Sequence, residues 1–213
     1  MLGDRDYMRP AWGGMGPGRQ GRSPMSGMAK LVILCTTIWL LQVFSFTHNS
    51  QGLTGLLEVS WPALQHWQLW RLLTNTLAHD PNSFMHLAFN MFALYMFGRP
   101  VEEALGRSRF YTLFAVSGIF GTLFWLGLNF GSASSLLGAS GAVFGVMAAA
   151  AVIYPNSMVL AFFFFPVRMR TFVLICAGIE LWSEFQRVGN IAHLAHLGGL
   201  LGGPQQQVDR LAD

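Results

Sequence analysis

Charge is what this sequence has least of. Only 11% of its 213 residues are charged, where a soluble domain of this size carries about 25%. Hydrophobic residues make up 53% and the mean hydropathy is +0.43. That excludes a water-facing globule, and because the apolar residues fall in several runs it points to a polytopic membrane protein. Cysteine is scarce: Cys35 and Cys176 both sit inside apolar runs, so no disulfide framework is implied. The net charge of +3 is too small and scattered for a nucleic-acid partner. The first twenty residues contain no apolar core, and no small-residue cleavage site follows, which argues against a signal peptide. Residues 1–28, rich in Gly, Pro, Arg and Met, are expected to form a flexible tail on the inner, cytoplasmic side, and the first apolar run an anchor.

Six apolar segments are present, roughly 31–47, 84–98, 110–130, 133–155, 171–186 and 191–203. A span needs about 20 apolar residues, so the third and fourth are comfortable and the second and fifth short. The run 157–167 lies between Pro155 and Pro166 and is expected to be an interfacial or re-entrant loop. With six spans and the N-terminus inside, eleven of the 13 Lys and Arg residues lie on the inner side, leaving Arg71 and Arg187 outside, in keeping with the positive-inside rule. The fold expected is therefore an all-α bundle of six transmembrane helices over 29–203, followed by a short polar tail, 204–213. The outer connection, 48–83, contains "WPALQHWQLWRLL" and should lie in the membrane interface or dip into it.

Polar residues inside spans are expensive, so each is a functional candidate. Ser140, His86 and His196 fall at similar depth toward the outer side, and Asn90 is four residues after His86 on the same helical face. A serine is a poor nucleophile until a base takes its proton, and His196 can be that base. His86, Asn90 and the Ser140 backbone N–H can face the developing oxyanion. Gly141 and Gly145 form one small-residue face and Gly199 and Gly203 another; if these meet, Ser140 and His196 come within reach. Taken singly, a membrane-helix serine more often bonds its own backbone, and a lone His or Asn more often joins helices. The matched depth is what raises the catalytic reading.

The motifs resemble those of the rhomboid family of intramembrane serine proteases. "GASGAVFG" (138–145) resembles the GxSG nucleophile motif, "HLAFN" (86–90) the HxxxN of the second span, and "AHLGGLLGG" (195–203) the AHxxGxxxG that carries the catalytic histidine. Trp70 and Arg71 resemble the WR pair of the first loop, and "EEALG" (102–106) the acidic residue and glycine after the second span. The resemblance covers about 31–203. It implies Ser140 as nucleophile and His196 as base of a dyad with no carboxylate member, His86 and Asn90 as oxyanion side chains, and Phe144 as an aromatic under the histidine ring. It also implies supporting roles for Gly138, Gly141 and Gly199, the last admitting the sixth helix beside the fourth. His193 fails the AHxxG pattern and is expected to pack or be solvated. His79 is a weaker accessory candidate, His48 and His66 carry no signal, and Glu180 is a carboxylate in the fifth span without an evident cation partner.

The expected activity is hydrolysis of single-span membrane proteins near the outer face, without metal or cofactor, in a multi-pass protein of the cell's inner membrane if bacterial. A metalloprotease would need His86, His193 and His196 to converge, and no HExxH-like motif exists. A transporter would place more charge deep in several spans. The chief rival is a rhomboid-like pseudoprotease that binds membrane proteins, favoured only by the sixth segment. Its thirteen residues reach about 20 Å at 1.5 Å each, against roughly 30 Å of hydrocarbon, before "PQQQVDRLAD". Truncation or alteration at that end, with His196 loosely held, is the expectation.

Overall fold

The computed structural model describes residues 25–48, 52–161, 164–185 and 193–202, with the backbone alone for 46–48, 180–185, 193 and 194. The long helices are α1 (Gly27–His48), α5 (Phe84–Leu105), α6 (Arg107–Leu128), α7 (Ser140–Ile153), α8 (Met169–Phe185) and α9 (His193–Gly202). The α1–α5 connection folds into α2 (Thr54–Leu57), β1 (Val59–Ser60), α3 (Trp61–Gln65) and α4 (Arg71–Thr74). Strand β2 (Ser135–Leu136) pairs antiparallel with β1, and β3 (Met158–Ala161) with β4 (Phe165–Arg168).

The helices turn large apolar side chains outward: Leu40 and Phe44 on α1, Phe89 on α5, Phe120 on α6, Leu174 on α8. Inside are Leu94, Phe97, Val101, Phe110, Leu113 and Val146. An apolar exterior around an apolar core suits a protein solvated by lipid. Among the described residues, α1 and α6 are long and apolar enough to cross a membrane on length and composition alone, while α7 and the first part of α8 are apolar but shorter.

Several bounds differ from the sequence reading. All-α is corrected to mostly helical, because two short antiparallel ladders are present. The run 157–167 contains most of a β-hairpin: on β3 the exposed Met158 and Leu160 alternate with the less exposed Val159 and Ala161, while β4 opens on two exposed residues, Phe165 and Pro166. The fourth segment, read from 133, becomes helical only at Ser140; before it lie strand β2 and Gly138, whose φ is +132°, a conformation that needs glycine. Helix α5 continues past Arg99 and Pro100 to Leu105, because helical hydrogen bonding does not stop where hydropathy stops.

Gly106, at φ +79°, ends α5 and starts α6. One turn earlier, Glu102 accepts hydrogen bonds at both oxygens from the first turn of α1, from Gly27 N (2.6 Å) and Met28 N (2.8 Å). Arg107 bonds the same carboxylate at 3.3 Å and the Met25 carbonyl at 2.9 Å. These contacts explain "EEALG": a carboxylate borrowed from another helix satisfies N–H groups that α1 cannot satisfy itself. The tails 1–24 and 203–213, with Gly203, lie outside the described residues, as do Arg187 and the side chains of His48, Glu180 and His193.

Candidate active site

Helix α9 enters the bundle through glycines. The Ala195 carbonyl oxygen lies 2.5 Å from where a Cβ on Gly121 would be and 3.1 Å from one on Gly141. A Cβ on Gly199 would collide with the Gly141 carbonyl, and one on Gly145 with Ser117 Oγ. Contact of the Gly141 and Gly199 faces was anticipated. The contribution of α6 was missed: Ser117 and Gly121 form the same small-xxx-small spacing, and Gly198 also packs on α6, against Gly121 and Phe124. Backbone thus lies on backbone, which seats Ala195 and with it His196, one residue on and buried.

Ser140 opens α7 and is half-buried. Phe144, one turn along, stacks on the His196 ring with centroids 4.8 Å apart and planes 5° from parallel. On the other side of Ser140, a Cβ on Gly138 would be 2.9 Å from His86 Nε2 and 3.6 Å from Ser140 Oγ. Both polar atoms therefore border one point, and a side chain there would fill the space between them. Gly138 is held by its N–H, which donates to the Asn75 carbonyl at 2.9 Å.

The structure thus places Ser140, Gly138, His86, Phe144 and His196 around the head of α7. Asn90 is buried one turn below His86, and its Nδ2 donates to the His86 carbonyl at 2.8 Å. One of its two amide hydrogens is thereby used within its own helix. Trp70 is more than half exposed, with Nε1 3.4 Å from the Leu56 carbonyl. Arg71 is buried, and its NH1 donates to the Glu58 carbonyl at 2.7 Å, fastening α4 to the start of β1. Exposed Leu56, Trp67, Leu69 and Leu73 give this connection an apolar outer surface, suited to a membrane interface.

Asn75, Thr122 and Gln42 are among the buried polar residues not singled out from the sequence. Asn75 donates to the Arg71 carbonyl at 2.6 Å, accepts from Thr122 Oγ1 at 3.1 Å, and presents its carbonyl to Gly138. It links the loop, α6 and the stretch before Ser140. Gln42 of α1 is fully buried and reaches the segment before α5. The only available signal was a strong hydrogen-bonding group in or beside an apolar run, where leaving it unpaired is costly.

His79, in the loop before α5, is fully buried and its ring centroid is 5.3 Å from that of His86. Burial, reinforced by His86 and opposed by the Leu77 backbone, pushes its pKa down to about 3, so it is neutral at ordinary pH. Among the described residues no group of three or more His, Cys, Asp or Glu side chains could hold a metal ion.

The Rhomboid domain family model matches residues 66–205. The chain belongs to the rhomboid family. It is 31% identical to Rhomboid protein 1, mitochondrial, of Saccharomyces cerevisiae over 74% of this chain and 52% of that protein. To the Rhomboid protease GluP of Bacillus subtilis it is 33% identical, over 78% of this chain and 31% of GluP. To the Rhomboid protease GlpG of Haemophilus influenzae it is 27% identical, over 81% of this chain and 84% of GlpG. The match thus spans about half of the yeast protein and about a third of GluP. Rhomboids are helical integral membrane proteins, commonly intramembrane serine proteases, and these relatives are both mitochondrial and bacterial.

Proposed function

We propose that this rhomboid is an intramembrane serine endopeptidase that hydrolyses single-span membrane proteins with a Ser140–His196 dyad. The observation that carries the reading is the convergence at the head of α7: Ser140 Oγ and His86 Nε2 border one point at Gly138, and His196 stacks on Phe144 one turn away. Ser140 Oγ attacks the scissile carbonyl as His196 takes its proton. The imidazolium then protonates the departing amine, and water repeats the sequence on the acyl-enzyme. His86 Nε2–H, the second Asn90 hydrogen and the Ser140 N–H face the oxyanion. The N-terminus of α7 adds its partial positive charge.

The fold proposed is a six-span bundle over 29–203 with the N-terminus inside, between tails 1–28 and 204–213. Helix lengths support a recessed site. The 22 residues of α6 reach about 33 Å, but the 14 of α7 about 21 Å at 1.5 Å per residue. A helix shorter than the hydrocarbon starts below the surface, and the non-helical stretch before Ser140 fills the difference.

The test is incubation of detergent-purified protein with a single-span substrate, wild type beside Ser140→Ala and His196→Ala. Each substitution should abolish cleavage, and the double variant should be no worse, since the two residues act as a unit. His193→Ala should cleave. Cleavage by Ser140→Ala above a few per cent of wild type overturns the dyad; a wild type that binds but never cleaves makes the chain a binding pseudoprotease.

A further inference from the structure

The nitrogen of His86 that does not face Ser140 has a partner. Its Nδ1 accepts a hydrogen bond from the Asp80 backbone N–H at 3.3 Å. An imidazole nitrogen that accepts carries no proton, so the neutral ring bears its hydrogen on Nε2. Nε2 is the atom beside Gly138. A ring in the other tautomer would present a lone pair to a developing oxyanion and repel it.

The Asp80 amide is held from both sides by α1. In the preceding residue, His79 N donates to Gln42 Oε1 at 3.0 Å. On Asp80 itself, the carbonyl accepts from Trp39 Nε1 at 2.9 Å. The other end of the Gln42 amide donates to Thr54 Oγ1 at 3.0 Å, so its donor and acceptor ends are both engaged. A leucine would fill this buried position without the desolvation cost of an amide, so packing alone does not account for Gln42. Asp80 Oδ1 accepts from Asn82 N at 2.9 Å, and Ser83 Oγ from His86 N at 3.3 Å. The segment from His79 to His86 is thus a short strap, anchored on α1 at one end and capping α5 at the other.

We propose that Gln42 and Trp39 are positioning residues that, through the His79–Asp80 backbone, hold His86 as its Nε2–H tautomer with the donor aimed at the site of Ser140. Helix α1 thereby takes part in oxyanion stabilisation without touching substrate. This rests on the proposed protease activity, but the tautomer is measurable without it.

The experiment is a nitrogen NMR spectrum of histidine-labelled full-length protein in detergent, with His86 assigned by the signals lost in His86→Gln. Wild type should show a protonated Nε2 and an unprotonated, hydrogen-bonded Nδ1. Gln42→Leu and Trp39→Phe should each shift this pattern until the Nε2–H form is the minor tautomer. In proteoliposomes they should lower kcat by about tenfold to a hundredfold with KM nearly unchanged, part of the 10² to 10³ that one oxyanion donor is worth. Gln42→Glu, which keeps an oxygen for His79 N–H, should recover most of the loss. A wild-type spectrum with Nδ1 protonated overturns the proposal even if neither variant folds. Lower melting temperatures with the His86 pattern and kcat intact also overturn it, leaving α1 a purely structural role. A wild type that shows the expected tautomer but does not cleave defeats the protease reading and leaves the tautomer assignment standing.

Discussion

Replacing Gly199 by alanine tests whether active-site geometry depends on bare backbone between α7 and α9. The new Cβ would collide with the Gly141 carbonyl and lie 2.9 Å from Gly141 Cα, where ordinary contact begins at 3.4 Å. Helix α9 must withdraw by on the order of 1 Å, because a backbone neighbour cannot rotate away as a side chain can. His196 is one turn earlier on the same short helix and moves with it, while Ser140 stays on α7. A misplacement of about 1 Å can cost about a hundredfold in rate. Overpacking removes about 1–3 kcal/mol of stability, and alanine returns up to about 1 kcal/mol of helix propensity. Activity should therefore fall much further than stability. Gly178→Ala in α8, where nothing lies within 4 Å of the added Cβ, is the control and should leave turnover unchanged. The assay is kcat/KM on a single-span substrate in proteoliposomes, with melting temperature in the matching detergent. Gly199→Ala retaining more than about half of wild-type turnover would refute the reasoning.

Gly138→Ala should be nearly inactive, because its Cβ would lie 2.9 Å from His86 Nε2 and φ +132° is strained for any other residue by about 1–3 kcal/mol; turnover near wild type would show that the gap is not used. Asn90→Ala should lower kcat by about tenfold to a thousandfold, whereas loss of detergent-stable folding would make its bond to His86 the main role. His79 gives an acid-side stability loss. The unfolded chain takes up a proton below pH 6.5 and the folded one only near pH 3, so stability is full above pH 6.5 and declines toward 3, by on the order of 5 kcal/mol at most. His79→Gln should flatten that part of a melting-temperature profile, and an unchanged slope would assign the decline to other groups.

The site motifs were legible because each is a local pattern with a chemical reason. Ser140 stands between Gly138 and Gly141, Asn90 follows His86 by one turn, and Phe144 follows Ser140 by one turn, where it stacks on His196 as expected. What was not legible depends on partners far along the chain. Gly121 looks like any small residue in an apolar helix until Ala195 rests on it. Gln42, Asn75 and Thr122 have no motif; their importance lies in bonds spanning 37 and 47 positions. The start of α7 was placed too early because Leu136 and Leu137 are as apolar as a helix interior, and hydropathy does not report backbone angle. The β3–β4 hairpin was hidden for a similar reason: its phenylalanines suit an interfacial loop and a strand equally.

The carboxylate cap on α1 has a consequence for the order in which the chain is made. Glu102 is 75 positions after Gly27, whose N–H it accepts. At about 5–20 residues per second, roughly 4–15 s of synthesis separate the emergence of the two residues. During that interval the first turn of α1 must leave its N–H groups to water or lipid headgroups, and α1 has few neighbours to pack against. Helix α1, made before α5 and α6, is therefore completed late, when the α5–α6 turn arrives with Glu102 and Arg107. A Glu102→Gln chain should insert α1 normally yet assemble more slowly, with α1 open to protease for longer in a timed translation into membranes.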